Sequence, residues 1–77
     1  MARIIDGEKI NIVGDNVRKA RKAAQISQQQ LADKLETIAV YICRGSISRI
    51  ESGERTVTDI ELAGLSKVLG VPIQSFF

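Results

Sequence analysis

Residues 27–51, SQQQLADKLETIAVYICRGSISRIE, decide how the rest of the chain is read. Ser27 opens the stretch as a helix N-cap, a residue type whose oxygen accepts from the first free backbone N–H groups. Leu31, Ala32 and Leu35 follow at helical spacing, with polar and charged residues between them. That pattern breaks near Tyr41-Ile42-Cys43, and a second, short helix starts around Arg44 with Ile47 and Ile50 turned inward. Arg44, Ser46, Ser48 and Arg49 are then left on its outer face.

A short amphipathic helix with Arg and Ser on its free face, supported by the helix before it, has the form of a major-groove reader. The charge distribution points the same way. The net charge is only +2, but residues 1–49 hold nine Lys and Arg against five Asp and Glu, and residues 50–77 hold two against four. The positive field therefore lies on the half that contains the Arg44 helix. A lysine-rich solvated face is the plainer reading of the charges alone.

With 77 residues there is room for one domain and one small core. Three aromatics, Tyr41, Phe76 and Phe77, leave that core mainly aliphatic, as in a bundle of short helices. The apolar run Ile38–Cys43 is too short for a bilayer, which needs about 20 residues. No basic-then-apolar leader opens the sequence, and a single cysteine makes no internal disulfide, so a cytoplasmic setting is expected. The chain has no histidine, no metal-ligand cluster and no phosphate-cradling glycine loop, so neither an enzyme nor a cofactor is expected.

Working outward, Val13, Val17, Ala20 and Ala24 form one stripe of a first helix over about 13–24. The second helix is expected over about 28–38, and the third over about 44–52 with Gly53 as a left-handed cap. Thr58-x-x-Glu61 is a capping box that starts a fourth helix with Leu62, Leu65 and Leu69 inward, stopped by Gly70. Gly64 inside it marks either a close approach by another helix or a residue that is merely tolerated, the second being the preferred reading. Pro72 suits the first turn of a final short helix that returns Phe76 and Phe77 to the core. Residues 1–11 are set apart as an arm or a short hairpin around Asp6-Gly7, and residues 12–77 form one all-α domain.

From Ile12 to Phe77 the sequence resembles the Cro/cI-type, or XRE-type, helix-turn-helix repressors of bacteria and phages. The resemblance rests on Val17-Arg18-Lys19-x-Arg21-Lys22, Ile26-Ser27-Gln28-x-x-Leu31-Ala32 and Ile47-Ser48-Arg49-Ile50-Glu51-Ser52-Gly53-x-Arg55, then Leu62-x-x-Leu65-x-x-x-Leu69-Gly70-Val71 and Phe76-Phe77. It implies a five-helix, lambda-repressor-like domain that binds palindromic operator DNA as a homodimer. The connection Glu36–Cys43 is about five residues longer than in most such domains, which implies an extended second helix and Val40-Tyr41-Ile42 folded over the core. Gln25 stands where the family favours Gly.

The resemblance and the outward face together give the candidate site. Arg44, Gly45, Ser46 and Arg49 are expected at base edges, where arginine forks onto guanine. Ser27, Gln28, Arg55 and Thr56 are expected at phosphates, although Ser27 could serve only as a cap. By resemblance, Arg21 and Glu51 form a structural salt bridge that orients the reading helix. Cys43, at the N-cap of that helix, reads as a small filler or as a redox handle. Two functions are open: a sequence-specific regulator of transcription, expected to repress, or a protein-interaction or antitoxin-type module whose helices bind a partner.

Overall fold

The computed structural model describes residues 9–77; the hairpin expected around Asp6-Gly7 lies outside them. Four α-helices follow in order: α1 (Gly14–Ala23), α2 (Gln28–Glu36), α3 (Arg44–Ser52) and α4 (Asp59–Leu69). In place of the expected fifth α-helix the chain ends in a single 3-10 turn, Ile73–Phe76. Helix α3 packs against both α1 and α2, α4 lies against α2, and the terminal turn rests on α1. Among the described residues no helix is long and apolar enough to cross a membrane.

Val17, Leu31, Leu35, Ile47, Ile50, Leu65 and Phe76 meet in the centre, all fully buried. Each such side chain contributes roughly 1.5–3 kcal/mol relative to exposure. The α1 stripe is shorter than its periodicity predicts, because Ala24 is exposed and Arg21 takes the last inward position. Phe77 is likewise 64% exposed; only Phe76 returns to the core.

Two helix starts are capping boxes. The Ser27 hydroxyl accepts from Gln30 N at 3.0 Å while Gln30 Oε1 accepts from Ser27 N at 2.8 Å. Thr58 and Glu61 repeat the arrangement at 3.2 and 3.0 Å. The helix ends share a second device, a left-handed residue followed by a backbone hydrogen bond spanning six residues. Gly53 and Gly70 provide two of these residues, with bonds Glu54 N to Arg49 O and Val71 N to Ser66 O. Gln25 and Ala39, both at φ 62°, provide the others, with bonds Ile26 N to Arg21 O and Val40 N to Leu35 O.

The last of these corrects the expectation of a lengthened α2. The helix stops at Glu36, its final amides tighten to 3-10 type bonds, and Ala39 reverses the chain. Val40 then packs on the core and Ile42 is buried at 4%, while Tyr41 between them is 76% exposed rather than folded inward. Gly64 is also more than tolerated. A Cβ there would lie 3.0 Å from Val40 Cγ2 and 3.3 Å from Leu35 Cδ2, so α4 makes room for the connection.

Candidate nucleic-acid interface

Helix α3 has two faces of different character. Ile47, Ile50 and Glu51 are buried on the inner one. Arg44, Ser48, Arg49 and Ser52 are exposed on the outer one, with Gly45 and Ser46 half-buried at its start. Among the described residues Arg44 has no hydrogen-bond or ion-pair partner. Arg49 Nη2 donates to Ser46 Oγ at 3.3 Å, which draws its guanidinium along the helix toward Arg44. At Gly45 a Cβ would touch only Arg49 Nη1, at 3.8 Å, so packing does not demand glycine there. A Gly on the outer face leaves the backbone open to close approach.

Cys43 occupies the N-cap of α3 in an extended conformation, without capping through its side chain. Its thiol donates to Ser46 Oγ at 3.4 Å. On ionisation the thiolate accepts instead from the Ser46 hydroxyl, then from the Ser46 backbone N–H, which holds the group below its ordinary pKa.

The inner face is held by a polar cluster. Arg21 Nε donates to Glu51 Oε2 at 2.6 Å and Arg21 Nη2 to Glu51 Oε1 at 3.0 Å, with both residues buried. Arg21 Nη1 also donates to Ile26 O at 2.9 Å, so the same guanidinium ties the link between α1 and α2 to α3. Gln28 Nε2 donates to Glu51 Oε1 at 3.1 Å and brings in the first turn of α2. A buried charge pair satisfied on every side fixes orientation more than it adds stability. Above this cluster lies a shallow polar notch with Arg18, Gln28, Ser48 and Ser52 on its walls.

Asn11, which no sequence pattern singled out, holds the same C-terminal end of α3, one residue before Glu51. Its Oδ1 accepts from Val13 N and Gly14 N at 3.1 and 2.8 Å, and its Nδ2 donates to Ile50 O and Arg55 O at 3.0 and 2.7 Å. The start of α1 thereby sits on the end of α3. The approach is so close that a Cβ at Gly14 would run into the Ile50 carbonyl oxygen. A helix-capping Asn type was the available signal for Asn11. Its second pair of bonds spans about forty residues and left no local trace. Arg18 had a clearer signal, since it lies three residues before Arg21 and shares its side of α1.

Arg55 has a structural partner that the sequence did not suggest. Its Nη1 and Nη2 fork onto Glu61 at 2.9 and 2.8 Å, while Nη1 also donates to Thr56 O at 3.0 Å. The Arg55 side chain remains 28% exposed. Hydrogen bonding to Arg55 holds the Glu61 carboxyl below its ordinary value, and the same contact raises Arg55. Glu61 thus serves the α4 capping box and the loop after α3 at once. Thr56 beside it is exposed.

Four short helices, with the third cradled by the first two and presenting exposed arginines, define a helix-turn-helix protein. The helix-turn-helix family model designated HTH_3 matches residues 17–76, and the chain belongs to this XRE-type family of DNA-binding transcriptional regulators. Among solved structures it is similar to the restriction-modification controller protein C.AhdI from Aeromonas hydrophila. The two share 25% sequence identity and superpose with a TM-score of 0.74, over 84% of this chain and 87% of that one. No curated protein sequence matches.

Proposed function

We propose that this regulator represses transcription by binding a palindromic double-stranded operator as a homodimer, with α3 in the major groove. One observation carries the reading: α3 is locked from behind by Asn11, Arg21 and Gln28, while Arg44, Gly45, Ser46 and Arg49 have no part in the core. Arg44 and Arg49 fork onto guanine edges, Ser46 makes a less selective contact, and Gly45 admits a close approach. Ser27 and Gln28 meet one phosphate at the α2 N-terminus, where Arg18 and Ser52 add donors from the notch. Arg55, steadied by Glu61, meets a second phosphate together with Thr56.

The second copy is supported by apolar residues away from α3. Ile60 on α4 is 69% exposed, and Phe77 and Ile73 beyond it are 64% and 36% exposed.

Selection of binding sites from random duplex DNA tests the reading, with wild type compared to Arg44→Ala and Arg49→Ala across salt concentrations. A palindromic site should emerge, and each variant should lose roughly 1–3 kcal/mol of preference at its own base pair. Absence of any enriched site with the wild-type chain would point to a protein partner on the same face.

A further inference from the structure

The connection between α2 and α3 carries a feature that the reading helix does not use. Tyr41 is the most exposed large apolar side chain among the described residues, at 76%. A single exposed aromatic is common on protein surfaces and by itself means little. Tyr41 differs in how it is held. Val40 packs against the core on one side of it and Ile42 is buried on the other, so the backbone at 41 is pinned at both neighbours and directs the phenol outward. The side chain opens onto a groove that Arg44 and Ser46 also line, opposite Gln29, Asp33 and Glu36 of α2. The two carboxylates repel phosphate from the α2 wall, which leaves the Tyr41 and Arg44 side for a nucleic-acid strand.

We infer that Tyr41 is a DNA-positioning residue whose hydroxyl donates to a backbone phosphate just outside the bases read by Arg44. This rests on the DNA-reading role given to α3. Tyr41 and Arg44 are three positions apart, a backbone reach of at most about 10 Å. With successive phosphates of one strand roughly 3.4 Å apart along the helix axis, that reach covers the nucleotides flanking the site. A phenol carries no charge at neutral pH, so the contact is a hydrogen bond to a charged acceptor rather than an ion pair. That sets it apart from the arginines: it adds affinity without releasing a counterion, and it carries no base preference.

The test uses the full chain and the duplex that the wild type selects. Tyr41→Phe should weaken binding about tenfold, the usual size of one hydrogen bond to a charged group. The base preference and the slope of affinity against salt should stay those of the wild type. Phosphate ethylation at one flanking position should weaken the wild type by about the same tenfold and leave the Phe variant indifferent. Since Tyr41 is exposed, thermal unfolding of the Phe variant should match the wild type, which separates a contact from a folding defect. Wild-type affinity in Tyr41→Phe overturns the inference while leaving the α3 reading intact. Loss in Tyr41→Ala alone also overturns it, because the ring and not the hydroxyl would then act. A wild type that selects no duplex overturns both.

Discussion

At the scale of single residues, the backbone conformation at four helix ends separates what a glycine gives from what another residue must endure. Ala39 and Gln25 hold φ 62°, a region that costs an L-residue roughly 1–2 kcal/mol. Glycine would relieve that cost and give back part of it in unfolded-state entropy, about 0.4–1 kcal/mol. Ala39→Gly should therefore raise stability by about 0.5–1 kcal/mol, read as a higher urea midpoint at unchanged slope. Gly45 presents the opposite case. Its site in α3 is helical and open, so Gly45→Ala should gain up to about 1 kcal/mol in stability. Operator affinity should nonetheless fall, because the added methyl stands on the outer face between Arg44 and Arg49. A variant that is more stable and binds equally well would remove Gly45 from the interface.

At the scale of elements, the orientation of α3 depends on polar groups from three other segments. Glu51 receives Arg21 and Gln28, and Asn11 holds the adjacent Ile50 carbonyl in the same last turn. Glu51→Ala strands the buried Arg21 guanidinium and should cost about 3–5 kcal/mol, a large share of the stability of a small domain. Combining Arg21→Met with Glu51→Leu should recover most of that loss in chemical denaturation. Recovery of stability without recovery of operator binding would show that the pair positions α3 and is not needed simply to fold the chain. The elements themselves were largely legible. Ser27 announces its cap, Thr58 its capping box, and Gly53 and Gly70 their stops, because caps involve residues within one turn of each other. The end of α2 was not legible, since Ala39 in a left-handed conformation has no signature in residue type.

At the scale of the whole molecule, the Arg55–Glu61 fork joins the loop after α3 to α4, and it makes stability respond to acid. The folded carboxyl titrates below its ordinary 4.5, so in that window the unfolded chain binds more protons than the folded one. Its contribution is therefore complete above about pH 4.5 and is lost as pH falls through the lower, folded value. Urea unfolding of the wild type should weaken over that range, and Glu61→Gln should show a shallower acid limb from a lower starting stability. Equal acid limbs would mean that other carboxylates govern the response.

The sequence by itself determined the first four helices, their boundaries apart from the end of α2, the outer face of α3 and, through its motifs, the family. Those features arise from hydrophobic periodicity and capping, which act between residues close along the chain. The tertiary structure decided what distance along the chain hides. It joined Asn11 to Ile50 and Arg55, made Gly14 and Gly64 sites of close approach, and gave Arg55 to Glu61. It also turned Tyr41 outward between two anchored neighbours. Each of these depends on which segments meet when the core closes, and a buried polar group takes whichever partner that meeting supplies.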